Sequence, residues 1–403
     1  MRPLLAAVPG LGHALHGRGG RGLAVALGWL GFLAVLLANL PEVRGAFAGT
    51  AGPAGVRPAL DRQLAVVFLG AMLVGLPVAS WFDCRRLRGE QRRTAAGPRH
   101  GVSQWKLVYR RFLRNRVALT GFWTVVVLYC VALLAPLLAP HDPNRQVDIV
   151  RTRYLPPGSA WAATEASAAR AGSADEPTHL SFPLGTDKFG RDILSRMIYG
   201  SRISLSIGFV AVGIAVTLGT LLGAIAGYFG GRADWLIMRL VDVLYAFPRI
   251  FLVLTLIAIY SPQIWLIIAV IGATAWMGVA RLVRGQILSL KEREFIEATH
   301  ALGVPDRRVI LRHVLPNTLS PVIVAASLMI GDVILTEATL SFLGLGVQPP
   351  TASWGNIINQ GRDNLLGAWW IATFPGLAIV LTVVSYNLVG DGLRDALDPR
   401  LKE

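Results

Sequence analysis

The sequence Glu297-Ala298-Thr299-His300-Ala301-Leu302-Gly303 lies between two apolar runs that are each long enough to cross a membrane, and His313-Val314-Leu315-Pro316 follows after nine residues. Charged side chains are costly in the middle of a bilayer. We therefore expect this segment outside the bilayer, at one fixed face of a membrane protein. A conspicuous motif at such a place suggests a surface on which another protein acts.

The composition of the 403-residue chain indicates a polytopic membrane protein. The chain is 53% hydrophobic and 16% charged, with a mean hydropathy of +0.53, whereas soluble domains carry about 25% charged residues. Repeated apolar runs of about 20 residues are typical of helices that cross a bilayer.

The net charge of +15 is concentrated in one part of the chain. Residues 85–116 contain eleven Arg and Lys residues against the single acid Glu90, and they separate two apolar runs. Cytoplasmic loops carry such excesses, and anionic lipid headgroups attract them. This placement favours the lipid bilayer as the partner and argues against nucleic acid.

We predict an all-α fold with about eight membrane spans, because 20 residues at 1.5 Å rise cover one hydrocarbon core. The predicted spans are residues 23–40, 64–82, 117–138, 203–229, 240–260, 264–282, 319–340 and 368–389. The short basic loops all fall on one side if both termini are cytoplasmic.

The spans divide the chain unevenly. Residues 1–82 form a two-span N-terminal hairpin, residues 83–116 a basic cytoplasmic linker, and residues 117–403 a six-span region with its core at about 202–391. The outer stretch 144–180 is rich in Ala, Ser and Pro, and we expect it to be irregular.

Residues 291–316, here called the elbow, are expected to form two short helices before the seventh span. Phe295, Ala298 and Leu302 share one face of the first helix at helical spacing. Gly303 suits its C-terminal stop because glycine tolerates a positive φ. Pro316 is expected to interrupt the second helix, so that the chain bends there into the membrane. On spacing alone, the elbow could equally be an amphipathic helix that rests in the headgroups.

The elbow resembles the Glu-Ala-Ala (EAA) motif of permease subunits of prokaryotic ABC importers. The residues that match are Glu297, Ala298, Gly303, Leu315 and Pro316, while Thr299 and His313 depart from the pattern. The departure at His313 is similar to the peptide and nickel branch of the family. Residues 183–196, 335–350 and 387–400 also resemble family segments. The likeness to C-type permeases of dipeptide and oligopeptide importers covers about residues 105–403, and the first hundred residues lie outside it.

The resemblance implies a type I ABC importer transmembrane domain with six core helices and an added N-terminal hairpin. The elbow would be the coupling helix, inserted in a groove of a cytoplasmic ATPase. The ATPase-coupling residues would be Glu297, Ala298, Thr299, Gly303, His313, Leu315 and Pro316. The implied partners are a second permease subunit, two ATPases and an extracytoplasmic solute-binding protein, in the cytoplasmic (inner) membrane of a prokaryote.

No nucleotide or metal site is expected in the chain. A phosphate-cradling loop needs Gly-x4-Gly-Lys-Ser/Thr, and none of the four lysines follows a glycine. We therefore expect no catalytic residue and no bound cofactor, with ATP used by partner subunits. His13 and His16 have the spacing of metal ligands, but no Cys, Asp or Glu lies near them.

Five residues inside the predicted spans are candidates for special roles. Asp332 and Glu337 would line or brace the translocation pathway or an outer gate, because intramembrane carboxylates face the bundle interior or water. A structural hydrogen bond to a neighbouring helix is the equal alternative. Gly219, Gly223 and Gly227 form two GxxxG steps, which suit close helix packing, with a pathway or dimer seam as the alternative.

The sequence thus predicts a permease subunit of an ATP-driven importer of di- or oligopeptides. The same machinery could carry a nickel chelate, glutathione or an opine. An ion-coupled carrier is a rival, since Asp332 and Glu337 could bind protons, but the chain shows no pair of matching interrupted spans. An intramembrane hydrolase would need a base beside its nucleophile, and no histidine lies in a predicted span.

Overall fold

In a computed structural model of the protein, the described residues are 19–38, 63–75, 104–146, 148–162, 179–260 and 262–398. The chain divides into two compact units: Met1–Ser103 with Leu133–Ala139, and Gln104–Ala132 with Pro140–Glu403. His13, His16 and most of the predicted basic linker lie outside the described residues.

The first unit contains helices α1 (Gly19–Ala38) and α2 (Gln63–Gly75), with the helical turn Ala135–Leu138. The indole Nε1 of Trp29 donates a 2.9 Å hydrogen bond to the carbonyl of Leu73, and this bond ties α1 to α2. Their apolar side chains share a small core with Leu134 and Leu137.

The second unit is a bundle of long apolar helices. Its helices are α3 (Gln104–Phe112), α4 (Arg116–Leu133), α5 (Ile149–Thr152), α6 (Ile193–Phe229), α7 (Gly231–Tyr245), α8 (Arg249–Tyr260), α9 (Ile264–Lys291), α10 (Glu294–Ala301), α11 (Asp306–Phe342), α12 (Trp354–Gly361) and α13 (Trp370–Leu397). Within the described residues, α4, α6, α9, α11 and α13 are each long and apolar enough to cross a membrane. The α7–α8 pair makes a sixth span if it is counted as one.

The predicted fifth span, residues 240–260, is not one straight helix, and this part of the prediction is wrong. The chain breaks between α7 and α8 and turns by 85°. Pro248 lies in the break. A proline has no backbone N–H and its ring clashes with the preceding turn, so it ends a helix here.

The predicted bend at Pro316 is also wrong. Helix α11 runs for 37 residues from Asp306 through Pro316 to Phe342. Ile310–Val314 form a π-helical turn just before the proline, in which the N–H of Leu315 bonds to the carbonyl of Ile310. This wider turn accommodates a residue that cannot donate an α-helical hydrogen bond. The second part of the elbow is therefore the beginning of a span and not a separate short helix.

The helices of the second unit pack around contiguous apolar cores. Buried residues of α6, α8, α9 and α11 form one of them, including Ile207, Ile257, Ile271 and Val333. Helix α3, expected within the basic linker, packs on α13, where a Cβ at Gly392 would lie 3.3 Å from the ring of Phe112.

At the end of the bundle away from the elbow lie residues 140–146, 148–162, 179–192 and 343–369, here called the distal segment. Strands β1 (Ser159–Ala162) and β2 (His179–Phe182) pair antiparallel, with Trp161 opposite Leu180. The expectation that 144–180 is irregular is therefore wrong for α5, β1 and the first residues of β2, whereas residues 153–158 are turns and loop. Alternating apolar residues in β2 bury Leu180 and Phe182 with Trp161, and this burial stabilises the hairpin.

Candidate functional site

The elbow has one apolar face that the chain's own core does not cover. Gly303 ends α10 with a φ of +71°, and the N–H of Leu302 bonds to the carbonyl of Ala298 at 3.1 Å. On the uncovered face, Leu302 is 81% exposed and Phe295 41% exposed. Glu297 and Ala298 are exposed beside them. This face can therefore meet a partner surface.

The opposite face of α10 anchors the elbow to the bundle. Ile296 is only 1% exposed and packs with Val309 and Val314 of α11. The hydroxyl of Tyr228 donates a 2.6 Å hydrogen bond to Oδ1 of Asp306, and Nζ of Lys291 donates to the carbonyl of Tyr228 at 2.7 Å. The elbow is thus tied to the ends of α6 and α9. The sequence analysis missed Tyr228, because nothing in an apolar span marks one tyrosine as an anchor.

The remaining predicted coupling residues lie on the same short stretch of chain. The Thr299 hydroxyl donates to the carbonyl of Ile296 at 2.7 Å, and the side-chain amide of Asn317 donates to the carbonyl of His313 at 2.6 Å. Leu315 is half-buried and Pro316 exposed. The structure therefore places Glu297, Ala298, Thr299 and Gly303 at α10 and the other three on the first turns of α11.

A positively charged hollow lies within the elbow, at the beginning of α11. It has a volume of about 440 Å³, and its lining residues are Pro305, Arg307, Arg308, Leu311 and Arg312. Three guanidinium groups around an apolar floor suit contact with an acidic protein surface.

Two ion pairs fasten α7 to α9. Arg284 binds both carboxylate oxygens of Asp234, at 2.5 and 2.6 Å. Arg281 donates to Oδ1 of Asp242 at 2.6 Å, and both side chains of this second pair are about half exposed.

Asp332 pairs with a residue that the sequence analysis missed. Nη1 of Arg249, the first residue of α8, lies 2.6 Å from Oδ2 of Asp332 in α11. The Asp332 side chain is 60% exposed and that of Arg249 31% exposed. A signal was available, since an arginine directly after a proline inside an apolar run is unusual in an unbroken span.

Glu337, by contrast, is fully buried and holds three segments together. Its carboxylate accepts hydrogen bonds from the hydroxyls of Ser341 at 2.7 Å, Ser353 at 3.0 Å and Ser204 at 3.3 Å. Each serine oxygen also accepts a backbone N–H, from Val347, Asn356 and Trp354 respectively. This arrangement favours bracing between α6, α11 and the start of α12 over contact with cargo.

The three GxxxG glycines lie against α9 of the same chain. A Cβ would approach the carbonyl oxygen of Trp276 to 2.6 Å at Gly219, that of Ala280 to 2.5 Å at Gly223, and that of Arg284 to 3.0 Å at Gly227. Only glycine allows the two backbones to come so close.

The distal segment contains a buried polar cluster. Arg191 bonds to Asp187 at 2.7 Å and to the side-chain carbonyl of Gln360 at 2.7 Å, and Arg196 lies beside the same aspartate with 0% exposure. Asp192 caps α6 by accepting the N–H of Ser195 at 2.8 Å. Burial raises the pKa of the Asp192 carboxyl, against the opposing effect of the Ser195 hydrogen bonds.

The fold and the elbow together define a multi-pass membrane protein, with five or six apolar spans among the residues that the structure describes and an exposed elbow between two of them. A family model described as binding-protein-dependent transport system inner membrane component matches residues 219–403. A second model, the N-terminal TM domain of oligopeptide transport permease C, matches residues 103–157.

The chain belongs to this family of binding-protein-dependent transport permeases, as its curated relatives show. The glutathione transport system permease protein GsiD of Pectobacterium atrosepticum is 41% identical over 74% of this chain and 92% of the relative. The oligopeptide transport system permease protein OppC of Haemophilus influenzae is 41% identical over 74% and 90%. The dipeptide transport system permease protein DppC of Bacillus subtilis is 37% identical over 80% and 93%.

Among solved structures, a chain of the MetNI methionine ABC transporter is 18% identical, with a TM-score of 0.44, and covers 51% of this chain and 98% of that one. At that score the likeness adds nothing to the sequence relationship. The family resemblance carried by the EAA motif is confirmed by the family models and the relatives.

Proposed function

We propose that this chain is the membrane-spanning permease subunit of an ATP-driven importer of di- or oligopeptides. The names of its relatives support peptide as the class of cargo, since they are permeases for oligopeptides, dipeptides and glutathione. Membership of a binding-protein-dependent family argues against an ion-coupled carrier.

The observation that carries the coupling role is the exposed apolar face of the elbow. An 81% exposed leucine and a 41% exposed phenylalanine lie next to an exposed glutamate, on a helix fastened to the ends of two spans. A partner that buried this face would remove apolar area from water and could pull on α6, α9 and α11 together. We assign the partner as a cytoplasmic ATPase, with the arginine hollow as the flanking contact.

The assembly that follows contains four kinds of polypeptide. This chain pairs with a second permease subunit, two cytoplasmic ATPases bind the elbows, and an extracytoplasmic solute-binding protein delivers the cargo. The chain itself is non-catalytic and binds no cofactor, and ATP is hydrolysed by its partners. Both termini and the elbow lie on the cytoplasmic side of a prokaryotic inner membrane, as the basic loops favour.

Gly303 supplies a direct test of the coupling role. Among the described residues, no atom lies within 4 Å of a Cβ built at Gly303, but its φ of +71° strains any branched or bulky residue. Gly303→Leu should therefore distort the elbow at a local cost of about 1–2 kcal/mol without a steric clash. We expect the variant to insert in the membrane but to move roughly tenfold less peptide per ATP hydrolysed, as measured on the whole complex in proteoliposomes.

Gly303→Asn is the matched control, because asparagine tolerates the left-handed region. It should keep most of the coupled uptake. If Gly303→Leu supports uptake and ATP hydrolysis at the wild-type ratio, the elbow is not the coupling element.

Glutathione is the second candidate cargo, because a glutathione permease is among the relatives that are 41% identical. Glutathione and linear peptides differ chiefly in how the solute-binding protein receives them. Titration of that binding protein with glutathione and with short linear peptides decides between the two, since only the true cargo should saturate it at micromolar concentration.

A further inference from the structure

We propose that the exposed carboxylate of Asp332 is a transit subsite for the ammonium group of the transported peptide, and that Arg249 is the positioning residue that holds it. This inference rests on the proposed function as a peptide importer. It names the residue of this chain that contacts the cargo and the interaction involved, which is a hydrogen bond between an ammonium group and a carboxylate.

The geometry leaves one oxygen of Asp332 available. Nη1 of Arg249 donates a 2.6 Å hydrogen bond to Oδ2, and no described residue donates to Oδ1. An ionised carboxylate with a free oxygen accepts hydrogen bonds from an ammonium group.

The Arg249 guanidinium has Asp332 as its hydrogen-bond partner among the described residues. Within the described part of the chain, its Nε and Nη2 are buried without a hydrogen-bond partner. Its position is set by the break at Pro248, which brings the first residue of α8 to the face of α11. The guanidinium therefore orients Asp332 and balances its charge.

Asp332 lies on an exposed face of α11, and we infer from its position along the helix that it is deep in the membrane. It precedes the end of α11 at Phe342 by ten residues, which is roughly 15 Å at the α-helical rise and about half of a hydrocarbon core. A carboxylate that is 60% exposed at this depth is costly against lipid. We infer that this face borders water or a polar partner and not acyl chains.

The rest of the exposed face of α11 is of mixed chemistry. Leu328, Leu335 and Phe342 are 38%, 45% and 39% exposed and alternate with Asp332 and the exposed Thr339. Peptide cargo has a constant charged amino end and variable side chains, and such a face offers both kinds of contact. Intersubunit seams in membranes favour small residues, and Thr339 is the one small residue among the five exposed side chains named here.

A carboxylate already paired with an arginine binds an ammonium group weakly. Because the pair has no net charge, the ammonium group of a peptide gains one charged hydrogen bond there without a strong net electrostatic attraction. A translocation route needs contacts that are favourable enough to enter and weak enough to leave. The Arg249–Asp332 pair fits that requirement better than a lone carboxylate would.

The test uses the complete transporter in proteoliposomes, with trialanine as cargo and the number of peptides moved per ATP hydrolysed as the readout. Arg249→Gln combined with Asp332→Asn removes both charges, so no unpaired charge is left buried. We expect this variant to move about tenfold less trialanine per ATP. The wild-type transporter is also tested with propionyl-Ala-Ala, which lacks the ammonium group. With the binding protein saturated, the variant should move as much trialanine per ATP as the wild type moves propionyl-Ala-Ala.

Two matched variants separate cargo contact from structural support. Arg281→Gln combined with Asp242→Asn removes a pair of equal length and similar exposure between α7 and α9, and it should leave the ratio unchanged. Arg249→Asp combined with Asp332→Arg restores a pair with its charges exchanged, and uptake should stay low because a guanidinium now faces the pathway.

Three results would overturn the subsite. Uptake restored by the charge exchange would make the pair purely structural. Loss of the second permease subunit on purification of the neutralised variant would make Asp332 a subunit contact. If the neutralised variant moved as much trialanine per ATP as the wild type, the Arg249–Asp332 pair would have no role in transport. Each differs from failure of the proposed function, in which the wild-type complex itself moves no peptide on ATP hydrolysis.

Discussion

Glu337 shows how much a single buried side chain can depend on its neighbours. Three serine hydroxyls donate to its carboxylate, and each serine oxygen is already committed to a backbone N–H. In the sequence Glu337 was a candidate for the pathway as well as for bracing. The contacts that favour bracing come from serines up to 133 residues away along the chain, which no local pattern could reveal.

We predict that Glu337→Gln destabilises the protein. An amide presents one acceptor oxygen and two donors, so at least one serine hydroxyl loses its acceptor, at a cost of about 1–3 kcal/mol for a buried unsatisfied group. The thermal unfolding midpoint of the detergent-purified protein should fall by several degrees. Glu297→Gln is the control, because Glu297 is exposed and its replacement should leave the midpoint unchanged.

Gly303 is the opposite case, because its backbone conformation follows from local chemistry. Its position after a run with helical spacing predicted a helix stop, since glycine tolerates a positive φ, and the structure has φ of +71° there. Equal unfolding midpoints for the wild type and Glu337→Gln would show that the hydrogen bonds of Glu337 do not stabilise the protein. They would not affect the prediction for Gly303, which depends on local backbone preference.

At the scale of elements, α6 and α9 form the most extensive helix contact among the described residues of the second unit. The sequence showed the small residues of α6 but not which helix they meet. The structure places Gly223 so near the α9 backbone that a Cβ would lie 2.5 Å from the carbonyl of Ala280.

We predict that Gly223→Ala costs about 1–3 kcal/mol, because the extra methyl group forces the two helices apart. Gly213→Ala on the same helix is the control, since Gly213 has no atom within 4 Å of a Cβ. That change should be neutral or stabilising by up to about 1 kcal/mol, because alanine is the better helix former. Denaturant unfolding of both variants gives the comparison, and equal losses would show that the contact is not tight.

Pro248 and Pro316 have opposite effects on helix continuity. Pro248 breaks its span, whereas Pro316 is absorbed by a π-helical turn and the helix continues. The residue type is the same, so the difference lies in what surrounds it. Val309 and Val314 are buried with Ile296 of α10 and hold that part of α11 in line.

At the scale of the whole molecule, orientation rests on the distribution of basic residues. Leu302 in the elbow is 81% exposed and Leu366 in the distal segment is 98% exposed, so each can carry a reporter without disturbing the core. Single cysteines at these positions, with Cys84 and Cys130 replaced by alanine, can be labelled with a membrane-impermeant maleimide.

We predict that Leu366→Cys is labelled in right-side-out vesicles and Leu302→Cys only in inside-out vesicles, when the chain is expressed without ATPases. The reason is that the elbow adjoins the arginine-rich face, which the positive-inside rule assigns to the cytoplasm. The reverse labelling pattern would place the elbow on the wrong side for an ATPase and would refute the proposed function.

The membrane class, most span positions, the elbow and its glycine stop followed from the chain itself, because hydrophobic length and backbone preference are local properties. The family could also be inferred from the sequence, because the EAA motif is a short local pattern. The pairing of Arg249 with Asp332, the burial of Glu337 and the break in the fifth span were settled only in three dimensions. A buried charge depends on which distant segment supplies its partner, and that choice is made by the packing of the whole bundle.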